Sequence, residues 1–460
     1  HECYTRFGRE LSPVNLIVGM ILAIALAACD GADAPAVSQQ PSPLAAAPDS
    51  TLVRSDDAEL RQLAAALLPG LAARSGFELR EPVRVERRSR AELERYLLAK
   101  LDEELDVEHA TALAESYRLL GLVPESTDLR ALLLNVYREQ VAGFYDPDST
   151  ALFVLDDQPE EAVESLLLHE LVHAVQDQSV DLDALTDPQL DSDRRVAAQA
   201  AIEGHATLVM LEFMLEQGGA GSVDLAEVPA MADQLRPALE AARDQYPALA
   251  AAPPVVQHGL LFPYVEGAGY ALAAWQHDAR RGEVLRSLLP QSSEQVLDPA
   301  SAWGAAVDLP ETLHFEAEDG MFGQRLRFSE VLGQSELGLW LESLGLDRTL
   351  ARGWDGDRYA LLELSADAVI PADAATPANA ATPAHALLLA IVWDTAEQRD
   401  DFVRALAPAL AEWAADRGLP MGLEARPFAG RPGALIKLGL DDSGAWRVRL
   451  GGAELGGVEP

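Results

Sequence analysis

The pentapeptide His169-Glu170-Leu171-Val172-His173 constrains this chain more than any other feature. Its flanks call for a helix. Pro159 suits the first helical position, Glu160 and Glu161 suit the positive end of the helix dipole, and Leu166, Leu167, Val172 and Val175 supply faces to bury. On such a helix His169 and His173 lie one turn apart and point the same way, so both imidazoles reach one tetrahedral metal ion. Glu170 sits beside that face, placed to take a proton from water at the metal rather than to bind the metal itself.

A catalytic zinc site takes three protein ligands, so a third is needed. The residues after His173 are Ala-Val-Gln-Asp-Gln-Ser, which excludes the metzincin spacing with its further glycine and histidine. The next long helical stretch carries Ala200-Ala201-Ile202-Glu203-Gly204-His205-Ala206-Thr207. The two strings together resemble the gluzincin-type zinc metallopeptidases, in particular their bacterial lipoprotein members. That resemblance implies a Zn2+ cofactor held by His169, His173 and Glu203, with Glu170 as general base and a peptide or protein as substrate. His205 is the rival ligand, but on a helix it faces away from Glu203. An acid often stands at its position in related sequences, so its role stays open. Tyr264 and Tyr145 lie in stretches similar to family segments and are the candidates for donating a hydrogen bond to a developing oxyanion; the alternative for each is a packed aromatic.

Helical spacing also nominates supporting residues. Gln176 and Asp177, three and four positions after His173, are placed to hold its free ring N–H, while Gln199 and Thr207 flank Glu203 at four positions to either side. The segment Gly143 to Leu155, with a turn cluster between two aromatic or β-branched stretches, reads as a hairpin. It resembles the edge strand on which such enzymes lay an extended substrate.

Composition removes other classes of function. Asp plus Glu number 74 against 35 Lys plus Arg, a net charge of −39, and no basic footprint for nucleic acid exists. Large apolar residues recur along most of the length, so the acidity is that of a folded, solvated surface. The only cysteines, Cys3 and Cys29, lie in the first thirty residues. The apolar run Val14 to Ala28 has the length of a signal-peptide core, too short for a comfortable span, and it ends in Leu26-Ala27-Ala28-Cys29. That string resembles a bacterial lipobox, which implies cleavage before Cys29, acylation of Cys29 and anchoring of an extracytoplasmic protein to the lipid bilayer. Asp30 resembles the residue that retains such proteins in the inner membrane of enteric-type bacteria.

The expected organisation is a signal peptide (1–28), a flexible tether (29–55), a helical region with a zincin-like metallopeptidase domain (56–300), and a smaller α+β domain (301–460). The class is α+β. Strands are expected at Tyr359 to Leu364, Leu387 to Trp393, Leu423 to Pro427, Ala434 to Leu440 and Trp446 to Leu450, with an amphipathic helix from Thr395 to Arg417. The duplicated Ala-Ala-Thr-Pro-Ala string reads as a loop insertion. Two further blocks, Pro290 to Pro299 and Gly353 to Tyr359, resemble segments of the same lipoprotein group without an evident role. Asp355 and Asp357 about Gly356 raise calcium as a possibility, and a structural turn is the expectation. Set against the peptidase are a non-catalytic lipoprotein using the scaffold as a binding or assembly module, and a metal-dependent hydrolase of non-peptide substrates.

Overall fold

The computed structural model describes residues 50–228, 230–317, 324–364, 385–440 and 446–451. The signal segment, Cys29, Asp30 and all but the end of the expected tether lie outside them. That end carries regular structure: strand β1 (Val53–Arg54) pairs in parallel with β2 (Val83–Arg88), so the fold includes residues ahead of 56. Among the described residues no helix is long and apolar enough to cross a membrane.

The class is α+β, as expected. Helix α1 (Ala58–Ser75) is followed by β2 and by helices α2 (Arg90–Glu104), α3 (Val107–Leu120) and α4 (Leu129–Gln140). The hairpin forms from β3 (Gly143–Asp146) and β4 (Ala151–Leu155), and it completes a four-stranded sheet of order β1-β2-β4-β3. Helices α5 (Glu160–Asp177), α6 (Ser192–Leu215), α7 (Met231–Ala242) and α8 (Pro254–His277) follow. Pro159 is the N-cap of α5, one residue ahead of the expected position.

The C-terminal third is built on an antiparallel sheet of order β6-β7-β8-β10-β9, formed by Gln324–Glu330, Trp354–Leu364, His385–Trp393, Gly433–Leu438 and Met421–Ala425 respectively. Strands β5 (Leu313–Ala317) and β11 (Trp446–Leu450) pair separately. Gly353 to Tyr359 is therefore mostly strand rather than turn, with a bulge between Trp354 and Gly356. Short helix α9 (Ser293–Leu297) and helix α10 (Gly333–Ser343) precede β7, and α11 (Ala396–Asp416) packs on the sheet. Thr395 and Gln398 form a capping box at the start of α11, and Phe402, Leu406, Leu410 and Ala414 recur at four-residue spacing as its buried stripe. Burying each of the three larger side chains contributes roughly 1.5–3 kcal/mol.

One apolar core runs across the boundary expected at residue 300, from Leu60 and Leu68 to Trp340, Ile391 and Phe402. The indole N–H of Trp340 donates to the Leu120 carbonyl at 3.0 Å, which fixes α10 against the end of α3.

Candidate metal centre

Two helices and one strand meet at the site. Helix α5 carries His169, Glu170 and His173, helix α6 carries Glu203, and β3 lies alongside α5. The side chains converge as the spacing requires. His173 Nε2 is 2.8 Å from His169 Nε2, His169 Nε2 is 3.1 Å from Glu203 Oε2, and His173 Nε2 is 3.4 Å from the same oxygen. Nitrogen and oxygen ligands at zinc distances in a tetrahedron stand about 3.3 Å apart, so this donor set fits a zinc-sized ion. All three residues are buried.

Electrostatics point the same way. Burial opposes the charge on Glu203, but the adjoining His173 and His169 override it and hold the carboxyl down at about 2. Burial and the neighbouring His173 lower His169 to about 4. For His173 burial also acts downward, yet the Glu203 carboxylate raises it to about 9. Buried Glu170 is raised to about 7, chiefly by desolvation, and its Oε2 accepts the Tyr145 main-chain N–H at 2.9 Å.

A relay of hydrogen bonds sets the outer side of His173. Its Nδ1 is 2.8 Å from Gln176 Oε1, the Gln176 amide donates to His205 Nδ1 at 2.9 Å and to the Ile202 carbonyl at 3.1 Å, and His205 Nε2 donates to the Ser75 carbonyl at 2.9 Å. His205 is therefore no ligand here; it steadies the glutamine that steadies His173. Gln199 donates to the free oxygen of Glu203 at 3.1 Å. Two expected supports are not made: Asp177 receives the Tyr145 hydroxyl at 2.7 Å instead of the His173 ring, and the Thr207 hydroxyl is buried without a partner.

The structure separates the two tyrosines. The Tyr145 hydroxyl donates to Asp177, and this residue meets Glu170 through its main-chain N–H. Tyr264 projects from α8 with its ring 6.4 Å from that of His169. Burial, then the charges of Glu203 and Glu170 and a hydrogen bond to Glu203, hold its phenol well above the usual range, so it remains a donor, one already engaged with the carboxylate of Glu203. Tyr264 reaches the site because α6 and α8 cross almost in backbone contact. A Cβ on Gly204 would lie 2.0 Å from the Gly267 carbonyl oxygen, and one on Gly267 would lie 2.2 Å from that of Ala200.

The comparisons with known proteins bear on a different part of the chain. Residues 320–431 match a domain of unknown function (DUF8575). No curated protein and no solved structure matches the chain. The matched segment takes in four strands of the larger C-terminal sheet, β6 to β9, ends before β10, and leaves every residue of the His169, His173 and Glu203 centre outside it. Strand β3 is at the sheet edge, as expected for substrate pairing, but its four residues are buried. An apolar cavity lined by His109, Tyr117, Tyr137, Leu260, Phe328 and Tyr359 includes none of the centre's residues.

Proposed function

We propose that this chain is a lipid-anchored, extracytoplasmic zinc metallopeptidase of gluzincin type, with His169, His173 and Glu203 as ligands and a zincin-like catalytic domain. The observation that carries this reading is the convergence of two imidazole nitrogens and one carboxylate oxygen within 3.4 Å, with Glu170 beside them on the same helix. When bound, zinc supplies a Lewis acid that polarises a carbonyl and makes water more acidic. The chain's own groups do the rest. Glu170, aimed by the Tyr145 N–H, accepts the proton of the attacking water and hands it to the departing amine. Tyr264 donates its hydroxyl proton as a hydrogen bond to the oxyanion. Gln176 and His205 hold His173 in the tautomer whose Nε2 lone pair faces the ion.

The ligands and Glu170 are at most 7% exposed, so a peptide enters only after the covering elements open. That burial favours a second reading, a non-catalytic lipoprotein that uses the scaffold as a binding or assembly module. Glu170→Gln separates the two. Loss of hydrolysis of an unfolded protein substrate with zinc retained supports the peptidase; a zinc-loaded wild type that hydrolyses no more than the variant supports the module.

A further inference from the structure

The two sequence blocks left without a role, Pro290 to Pro299 and Gly353 to Tyr359, come together at a second cluster of acidic side chains. Carboxylate oxygens of Glu294, Asp308 and Asp394 lie within 4.8 Å of one another. They arrive from three separate places: the first turn of α9, the loop before β5, and the residue that follows β8. Asp355, in the bulge of β7, is the fourth member, and its charge bears on Glu294.

Asp308 is half-buried and Asp394 exposed, whereas the two buried members, Glu294 and Asp355, lack the donors that buried carboxylates require. Glu294 is 8% exposed, and its carboxylate accepts no hydrogen bond from any described residue. Asp355 is 1% exposed, and its Oδ2 is buried without a hydrogen bond. Arg431 Nη1 stands 3.3 Å from that oxygen in poor hydrogen-bonding alignment, while the rest of the guanidinium binds Glu311 at 2.6 Å. Asp357, two residues on, shows the contrast. It accepts the Leu332 and Gly333 N–H groups and the Trp354 indole, so it is a structural acceptor and no part of the cluster. One arginine at the margin does not neutralise four carboxylates, two of them more than nine-tenths buried.

We propose that Glu294, Asp308 and Asp394, with Asp355 behind them, form a calcium site that ties the helical region to the C-terminal sheet. The donors are all hard oxygens with no imidazole or thiolate, which selects calcium or magnesium over zinc, and their irregular arrangement from a helix start, two loops and a strand bulge suits the less demanding calcium. The site bridges two halves: Asp355, in β7, and Asp394, just after β8, lie within the matched segment, whereas Glu294 and Asp308 precede it.

The test uses the full chain in detergent, saturated with zinc and freed of calcium. Calcium is added while the melting temperature is followed, and terbium luminescence excited through tryptophan reports binding, since Trp354 and Trp393 adjoin Asp355 and Asp394. The expected result is one saturable site per chain and a rise in melting temperature of about 3 °C or more. In Asp394→Asn and Glu294→Gln calcium affinity falls at least about tenfold, while the calcium-free variants melt no lower than wild type, because a like charge has been removed. Asp400→Asn, an exposed acid on α11, and His169→Ala keep the calcium response, which separates this site from surface screening and from the zinc reading. No saturable binding, or an equal response in the wild type, Asp394→Asn and Glu294→Gln, overturns the proposal.

Discussion

Gly204 and Gly267 face each other where α6 crosses α8, and no side chain fits between them. Gly204 directly follows Glu203, and Gly267 lies one helical turn beyond Tyr264, so the crossing sets the distance between an intended zinc ligand and the phenol above it. Gly204→Ala is expected to force the helices apart, costing about 1–3 kcal/mol in urea unfolding. It should also lower hydrolysis by more than the stability loss explains. A fully stable Gly204→Ala would show that the crossing has slack.

Tyr264 and Tyr145 should behave differently when each loses only its hydroxyl. Tyr264→Phe is expected to lower kcat by about 10²–10³-fold, as removal of one oxyanion donor does. Tyr145→Phe keeps the main-chain N–H that holds Glu170 and loses only the bond to Asp177, so its kcat should fall much less. Steady-state kinetics on the zinc-loaded variants decides the order, and a larger loss in Tyr145→Phe would reverse the assignment.

His205 acts through Gln176 and not on the ion. His205→Ala is expected to weaken zinc binding by about 10–100-fold while leaving the stoichiometry at one, measured by competition with a chelator. A complete loss of zinc in this variant would make His205 a ligand.

Much of this architecture could be read directly from the chain, and the omissions have identifiable causes. The hairpin at Gly143 to Leu155 and the helix begun by Thr395 carried strong local signals, alternation about a turn and a capping box over a four-residue stripe. Helix α8 was illegible because Pro263, Gly259 and Gly267 break its pattern; it is held by packing against α6, with Gly267 required at the crossing. Strand β2 lies among helices and is recruited by parallel pairing with β1 and β4, a long-range contact without a local sign. At the centre, the helical spacings placed His169, His173 and Gln176 correctly, and Gln199 beside Glu203. The relay from Gln176 to His205 and Ser75 depends on how α1, α5 and α6 dock, which no single helix encodes.

Stability should also depend on pH through Glu336, which lines the apolar cavity and accepts the Tyr117 hydroxyl at 3.2 Å. Burial raises its carboxyl from the ordinary 4.5 to about 8. The folded state therefore holds a proton that the unfolded state releases, and stability declines as pH rises from about 4.5 to about 8. Glu336→Gln retains the acceptor for Tyr117 and should flatten that decline in urea titrations at pH 5 and pH 8. An unchanged slope would place the dependence on other groups.

The central claim is the metal, and the zinc content of the full chain purified without chelator, measured by mass spectrometry beside Glu203→Ala, tests it most directly. Near one zinc per wild-type chain and markedly less in the variant is the predicted result. Folded wild type without zinc, or Glu203→Ala retaining zinc at wild-type affinity, would contradict it.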